Sequence, residues 1–324
     1  MPTVLLSGKL HPDGLALLRA RDDLTLLQME GDAPDEFVAK LADVDALLIR
    51  TAPLPREALV NARRLKVVSR HGVGYDNVPV DALTAMGVPL AIVGGVHSGT
   101  VAEHALYLML AVAKAGLRYD RAVRAGDWTA SRARSETFEL GGRTLLLIGL
   151  GRIGRELAWR AKALGMSVVA FDPHVGAEAM AAIGVAKVED WRAALGDVDA
   201  ISLHVPRMPE TENMIGAAEL ARMRPEAILV NTSRGGLIDE AALAAALAAG
   251  RIAGAGMVTF DEEPPRADNP LFASDRAILS PHMAGVSREA MARLGIAAAE
   301  NVIAGLEGTL DPALVVNAVA LGMR

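Results

Sequence analysis

Short β-rich runs alternate with helical stretches along nearly the whole chain, and this alternation limits the folds available to it. In the first ninety residues, the pattern predicts strands at 3–6, 24–28, 46–49, 66–69 and 89–92. The intervening stretches predict helices at 12–20, 34–42, 55–62 and 80–86. Strands that alternate with helices pair in parallel, because each helix carries the chain back across the sheet. The pattern therefore predicts an α/β domain with a parallel sheet.

A second alternating series begins at residue 144. It predicts strands at 144–148, 167–171, 200–204, 227–231, 252–257 and 277–279. It also predicts a helix at 153–164 that ends at Gly165, and a helix that begins after Asp239 as N-cap and ends at Gly250. No strand follows the last predicted helix, 287–306, so we expect this helix to return to the first sheet. The chain should therefore contain two parallel α/β sheets.

Two segments between the two series do not follow this alternation of strands and helices. The predicted helix at 101–114 is apolar on every side except at Glu103, His104 and Lys114. Because a helix without a polar face must be covered all round, we expect it to lie between domains or between subunits. Residues 117–142 are rich in Arg and Gly and predict an arm or long connection.

Composition excludes several classes of partner. The 33 basic and 39 acidic residues give a net charge of −6 without a basic cluster, which argues against nucleic acid and anionic membranes. The longest uncharged stretch, 82–102, contains too many Gly and Pro residues for a membrane helix. The chain has no Cys, which fits a reducing compartment, and its first residues lack the features of a signal peptide. We expect a cytoplasmic protein and no metal site.

A glycine-rich turn follows the first strand of the second series. In the GLGRIG sequence, Gly149 would allow the tight turn, Gly151 the approach of a pyrophosphate, and Gly154 the packing of helix on strand. Asp172 ends the next strand and would accept hydrogen bonds from ribose hydroxyls. An ordinary strand-to-helix turn is the alternative, but the context favours dinucleotide binding. A carboxylate at this place repels a 2′-phosphate, so we expect NAD(H) rather than NADP(H).

Three further strands of this series are followed by polar side chains. Arg234, Glu263 and His282 each lie just beyond a predicted strand, at the edge where α/β sheets bind ligands. Singly, each could be a solvated loop residue. Together, an Arg fork, a carboxylate and a proton-transferring His supply what hydride transfer to and from an α-hydroxy acid requires.

The order and spacing of these segments resemble the D-2-hydroxyacid dehydrogenase family, especially its phosphoglycerate dehydrogenase and hydroxypyruvate/glyoxylate reductase branches. The resemblance also rests on SRHGVGYDN at 69–77, VAEH at 101–104, HVP at 204–206 and SPHMAG at 280–285. It implies two doubly wound parallel-sheet domains with a cleft between them. A flavodoxin-like substrate domain, 1–98 and 288–324, would contain an inserted Rossmann NAD-binding domain at 99–287.

The resemblance also implies roles for individual residues. His282 would be the general base in oxidation and the acid in reduction, Glu263 would pair with it, and Arg234 would hold the substrate carboxylate. Substrate-binding residues would be Arg50, Val73, Gly74 and His97. Cofactor-binding residues would be Thr100, Gly149, Gly151, Arg152, Ile153, Gly154, Asp172, His204, Pro206, Thr211, Thr232, Val258, His282 and Gly285.

The chain departs from the family pattern at two positions. His97 replaces the usual Asn before the VAE segment, which leaves the substrate open. Val258 replaces an Asp that contacts the nicotinamide carboxamide, and we expect Val258→Asp to tighten NADH binding or raise turnover.

The resemblance predicts an NAD-dependent enzyme that acts on a small 2-hydroxy or 2-oxo acid. It also predicts a homodimer built on 101–114 and the arm around Trp128. An NAD(H)-sensing binding protein, like the corepressors on this fold, is the alternative. A formate dehydrogenase relative is disfavoured, because it would be expected to be longer and to carry a Gln that pairs with the active-site His.

Overall fold

The computed structural model describes residues 1–31, 33–133 and 136–323, apart from the side chains at 130 and 131. The chain divides into two compact units, the first formed by Met1–His97 with Ser287–Arg324 and the second by Ser98–Val286. Each unit contains one parallel sheet with its own apolar clusters.

The first unit begins with five strands and four helices. The strands are β1 (Thr3–Ser7), β2 (Thr25–Gln28), β3 (Ala46–Ile49), β4 (Val67–Arg70) and β5 (Leu90–Ile92). The helices are α1 (Pro12–Arg19), α2 (Pro34–Lys40), α3 (Arg56–Leu59) and α4 (Val80–Ala85), with a 3-10 turn at Leu41–Asp43. The strand order is β2-β1-β3-β4-β5, and every pair is parallel. This is the flavodoxin-like order, with its switch point between β1 and β3.

Seven strands form the sheet in the described part of the second unit. They are β6 (Thr144–Ile148), β7 (Ser167–Phe171), β8 (Ala186–Lys187), β9 (Ala200–Leu203), β10 (Ile228–Asn231), β11 (Gly254–Met257) and β12 (Ala277–Leu279). Their order is β12-β11-β10-β9-β6-β7-β8, all parallel, which extends the Rossmann order by one strand. The switch point lies between β6 and β9, so a crevice for a ligand is expected beyond their carboxyl ends.

Eight helices accompany this sheet in the described part of the second unit. They are α5 (Ser98–Ala113), α6 (Gly116–Arg124), α7 (Trp128–Arg132), α8 (Arg152–Ala163), α9 (Ala177–Ala181), α10 (Trp191–Ala194), α11 (Ala217–Arg222) and α12 (Glu240–Ala248). A 3-10 turn spans Pro270–Ala273. Asp239 caps α12 by accepting from the amide of Ala242, as predicted. Gly165 follows α8 with a positive φ of 78°, also as predicted.

The last helix, α13 (Arg288–Glu307), belongs to the first unit. It begins after Ser287, whose hydroxyl accepts from the amide of Ala290, and it packs on α1, β3 and β4. A Cβ on Gly14 of α1 would lie 2.2 Å from the carbonyl oxygen of Gly295, so glycine permits the close approach of the two helices. The predicted return of this helix to the first sheet is confirmed. A 3-10 turn at Pro312–Leu314 follows.

Most predicted elements are confirmed within one or two residues, but the arm predicted at 117–142 is wrong in part. This region contains most of α6 and all of α7, while Arg134 and Ser135 lie outside the described residues. We did not predict α6, because its nine residues include three Arg and one Asp and none of its side chains is buried. Four short elements, α9, β8, α10 and α11, were not predicted, because two to six residues carry little periodicity.

The apolar helix α5 is only partly covered within its own unit. Its buried residues pack against α8, β10 and β11, whereas Tyr107 is 47% exposed. Among the described residues, no helix has both the length and the apolar character needed to cross a membrane.

Candidate active site

The glycine turn between β6 and α8 has the geometry of a dinucleotide-binding turn. Gly149 has a φ of 96°, and a Cβ there would lie 2.5 Å from the carbonyl oxygen of His204. A Cβ on Gly154 would lie 2.5 Å from the carbonyl oxygen of Gly149, so the third glycine permits the helix to pack on the turn. At Gly151, by contrast, nothing lies within 4 Å of a would-be Cβ. The open space at the helix N-terminus is therefore where a pyrophosphate fits.

Asp172 follows β7, and both of its carboxylate oxygens accept backbone hydrogen bonds. Oδ2 accepts from the amide of Leu150 at 2.8 Å, and Oδ1 accepts from the amide of His174 at 2.8 Å. The carboxylate therefore also holds the glycine turn, a second role that the sequence did not reveal. Each oxygen keeps a further lone pair for a ribose hydroxyl.

Several other predicted cofactor residues lie just beyond β9. The Nε2 atom of His204 is 2.9 Å from the Oγ of Ser202, while its Nδ1 is buried and finds no hydrogen-bond partner in the described part of the chain. Burial lowers the pKa of His204 to about 4, so its ring is neutral at neutral pH. Thr211 closes the following loop, because its hydroxyl donates to the carbonyl oxygen of Pro206 at 2.8 Å.

The remaining predicted cofactor residues of this unit occupy different environments. Thr232 is buried just after β10, and no residue that the structure describes forms a hydrogen bond with its hydroxyl. Val258 follows β11, and its side chain is 0% exposed within an apolar cluster. Thr100 lies in the first turn of α5, Arg152 and Ile153 begin α8, and Gly285 lies in the loop after β12. Cofactor contacts of all these residues remain predictions.

Arg234 lies in a loop that Asn231 holds in place. The Nδ2 of Asn231 donates to the carbonyl oxygen of Arg234 at 2.7 Å, and its Oδ1 accepts from the amide of Ser233 at 3.0 Å. The Arg234 guanidinium donates to the carbonyl oxygen of Ser233 at 2.7 Å. The buried amide at the end of β10 thus fixes the path of the backbone that carries Arg234.

Glu263 and His282 form a hydrogen-bonded pair. The Nδ1 of His282 is 2.6 Å from Oε2 of Glu263, and Oε1 of Glu263 accepts from the amide of Phe260 at 3.1 Å. Partial burial acts to raise the pKa of Glu263, but the hydrogen bonds from His282 and Phe260, together with the charge of Arg234, bring it below its ordinary value. Glu263 is therefore ionised at neutral pH, and Nε2 of His282 is left for a substrate.

The loops that carry Arg234 and Glu263 are joined to each other. A Cβ on Gly235 would lie 1.7 Å from the carbonyl oxygen of Phe260, so only glycine permits this approach. Asp261 accepts from the amide of Gly236 at 2.7 Å, and the buried Glu240 accepts from the amide of Asp261 at 2.8 Å. Sequence reasoning missed these roles of Asp261 and Glu240, because no local pattern links residues 21 positions apart.

The first unit contains the predicted substrate residues. Arg50 follows β3, Arg70 ends β4, and His71, Val73 and Gly74 follow at the same edge of the sheet. A substrate contact by Arg50, Val73 or Gly74, or by His97 after β5, remains a prediction.

His71 was not predicted as a site residue. It is 5% exposed, and its Nε2 has no hydrogen-bond partner among the described residues. Burial and then the charge of Arg50 lower the pKa of His71 to about 4, with smaller contributions from Arg70 and His97. The His71 imidazole is therefore neutral at neutral pH, with the positive charges of Arg50 and Arg70 near it.

The geometry of the second unit supports proton transfer beside a bound nucleotide. The strands that lead to Arg234, Glu263 and His282 are β10, β11 and β12, and all end at the same edge of the sheet as β6 and its glycine turn. No group of three or more His, Asp or Glu side chains in the described ranges could hold a metal ion.

Comparison with known proteins agrees with this geometry. Residues 106–284 match the family model "D-isomer specific 2-hydroxyacid dehydrogenase, NAD binding domain", which indicates NAD(H) as the cofactor. The chain is 38% identical over 311 residues to D-3-phosphoglycerate dehydrogenase of Methanocaldococcus jannaschii, covering 96% of this chain but only 58% of that protein. It thus spans little more than half the length of this relative.

Two further relatives match over nearly their full lengths. Glyoxylate reductase of Thermococcus litoralis is 37% identical over 322 residues, covering 97% of this chain and 96% of that protein. The crystal structure of a glyoxylate reductase from Paecilomyes thermophila superimposes with a TM-score of 0.87 at 28% identity, covering 97% of this chain and 98% of the other. The chain therefore belongs to the D-isomer specific 2-hydroxyacid dehydrogenase family.

Proposed function

We propose that the protein is an NAD-dependent oxidoreductase that interconverts a D-2-hydroxy acid and its 2-oxo acid. The observation that carries this proposal is the 2.6 Å hydrogen bond between His282 and Glu263, in the same unit as the glycine turn. Their shared sheet edge is where Rossmann folds bind dinucleotides. Family membership supports the reaction class.

The chain's own residues supply the proton transfer and hold the substrate. In reduction, Nε2 of His282 gives a proton to the carbonyl oxygen of the 2-oxo acid; in oxidation it takes the hydroxyl proton. Glu263 fixes the orientation of the ring and stabilises the imidazolium. Arg234 offers a planar fork that matches a carboxylate. When bound, NAD(H) donates or accepts the hydride.

The proposal is tested by oxidation of the separate D and L enantiomers of glycerate and lactate with NAD⁺. Turnover of a D acid and not of its L enantiomer is expected. Arg234→Lys keeps the charge but loses the bidentate fork, so kcat should fall and the KM of the acid should rise. Turnover of the L enantiomers alone would contradict the assignment.

We propose further that the basic residues of the first unit bind an anionic part of the substrate. Arg50 and Arg70 place two positive charges near His71 and His97, which suits a 2-oxo acid with a second negative group, such as phosphohydroxypyruvate. The phosphoglycerate dehydrogenase relatives support this choice, whereas the glyoxylate reductases support a smaller acid.

The KM values of the Arg50→Ala variant distinguish these two substrate classes. The substitution should raise the KM of phosphohydroxypyruvate at least 10-fold and change that of glyoxylate little, since only the former has a distal charge. Equal effects on both acids would favour the smaller substrate.

We also propose that the protein is a cytoplasmic homodimer that pairs through α5 and the arm around Trp128. Tyr107 and Trp128 support this assembly, because these aromatic side chains are 47% and 63% exposed. Light scattering should give a dimer mass that Trp128→Ala lowers towards the monomer. Phe272→Ala, which removes another exposed aromatic side chain, is the control and should leave the mass unchanged. A monomer mass for the unmodified protein would contradict the proposal.

A further inference from the structure

His104 lies on α5 and contacts the loop that carries His282. Its Nε2 is 3.0 Å from the Oγ of Ser280, which lies directly after β12. Ser280 is buried, and burial lowers the pKa of His104, so the two side chains form a hydrogen bond between neutral groups at neutral pH. Neither residue was predicted to have a role of its own.

Backbone hydrogen bonds hold the chain between Ser280 and His282 in place. The amide of Ser280 donates to the carbonyl oxygen of Met257 at 2.9 Å. The amide of His282 donates to the carbonyl oxygens of both Val258, at 2.9 Å, and Ser280, at 3.0 Å. The path of the chain from Ser280 to His282 is thus fixed by Met257 at the end of β11, by Val258 directly after it, and by the side chain of His104.

The backbone of His282 needs this support. Its φ is 46°, in the left-handed region that residues other than glycine seldom adopt. Such a conformation persists only where surrounding contacts hold it. Because the imidazole extends from this strained backbone to Glu263 at 2.6 Å, movement of the loop would lengthen that hydrogen bond.

We propose that His104 is a positioning residue for the proton-transfer step. Through Ser280 it holds the strained loop in which the His282 ring meets Glu263. This inference rests on the proposed function, in which His282 gives the proton during reduction. His104 itself contacts neither the substrate nor the proton that is transferred.

The test compares His104→Ala, His104→Gln, Ser280→Ala and the double Ala variant in the full-length chain. His104→Ala should lower kcat for reduction about 5- to 20-fold, as one lost orienting hydrogen bond predicts. The KM of NADH should change less than about twofold, because the glycine turn is untouched. His104→Gln should recover most of the activity, since its side-chain amide can reach Ser280.

The pH profile separates positioning from mere stability. If the loop relaxes, Glu263 stabilises the His282 imidazolium less. The pH at which the rate of reduction falls to half of its maximum should therefore be lower in His104→Ala than in the unmodified protein. Ser280→Ala should have the same effect, and the double variant should be no worse than either single one. His11→Ala is the control: it removes a His that caps α1 in the first unit, and should lower Tm without moving the profile.

An NMR titration of the His282 ring makes the test independent of turnover. The midpoint should move to lower pH in His104→Ala and return in His104→Gln. An unchanged midpoint, an unchanged pH profile or additive effects in the double variant would each overturn the inference. Failure of the unmodified protein to reduce any 2-oxo acid would instead refute the proposed function, while the NMR titration would still decide the role of His104.

Discussion

Replacement of Val258 by Asp places a carboxylate where the structure has an apolar side chain. Val258 is 0% exposed and belongs to the cluster formed by residues of α5, α8 and the sheet. Its backbone is also fixed, because its amide donates to the carbonyl oxygen of Asn231 at 3.0 Å and its carbonyl oxygen accepts from His282. The new carboxylate therefore cannot move far to reach water.

The expected loss of stability follows from this burial. Loss of the buried apolar side chain costs about 1.5–3 kcal/mol, and an unpaired polar group adds at least about 1–3 kcal/mol. The free energy of unfolding should therefore fall by about 3–5 kcal/mol in the absence of cofactor. For a domain of about 150–250 residues, each kcal/mol corresponds to about 2–4 °C in Tm, so a fall of about 6–20 °C is expected.

Bound NADH should restore part of this loss. If the nicotinamide carboxamide donates to the new carboxylate, this hydrogen bond contributes about 1.5–3 kcal/mol, which corresponds to roughly 10- to 100-fold tighter binding. Thermal unfolding with and without NADH, together with a fluorescence titration for Kd, measures both effects. Val258→Asn is the control, because it has nearly the same shape without the charge.

Two results would refute this reasoning. A cofactor-free Tm within about 2 °C of the unmodified protein would show that the side chain is not buried among apolar groups. An unchanged Kd would show that position 258 does not contact the carboxamide, and the idea of a weakened nicotinamide contact would be dropped.

Three other predictions follow from the site. Gly154→Ala should destabilise the second unit and lower its Tm, because the new Cβ would lie 2.5 Å from a backbone oxygen. Gly151→Ala should instead fold normally and raise the Kd of NADH. Asp172→Ala should raise the kcat/KM ratio of NADPH over NADH, and an unchanged ratio would contradict the ribose assignment. The pKa of His71 is lowered to about 4, so only the unfolded chain takes up its proton between pH ~6.5 and 4. Stability of the first unit should therefore fall by up to ~3 kcal/mol as pH drops through this range, and less in His71→Gln; denaturant titrations at several pH values measure it.

The sheets and the main helices could be predicted because periodicity and turn residues act locally. The alternating runs gave the strands, and Asp239 and Gly165 marked helix ends whose capping the structure confirms. The helix α6 was not predicted, because its Arg and Asp residues make it polar on average and it buries no side chain.

The pairing of His282 with Glu263 was expected from the resemblance, and the structure places the two atoms 2.6 Å apart. The residues that hold the loops of this pair in place could not be predicted. Glu240 and Asp261 meet across 21 residues, and His104 meets Ser280 across 176 residues, so only the folded chain brings them together. The burial of His71 could not be predicted either, because burial depends on the packing of the whole unit.

The central claim is tested most directly by oxidation of NADH in the presence of hydroxypyruvate, glyoxylate or phosphohydroxypyruvate, with His282→Gln measured beside the unmodified protein. We expect turnover of at least one of these acids, and a loss of roughly 100-fold or more in His282→Gln with the Kd of NADH unchanged, because the proton donor alone is removed. Turnover in His282→Gln equal to that of the unmodified protein would contradict the mechanism. NADH binding without turnover of any of the three acids would favour an NAD(H)-sensing protein instead.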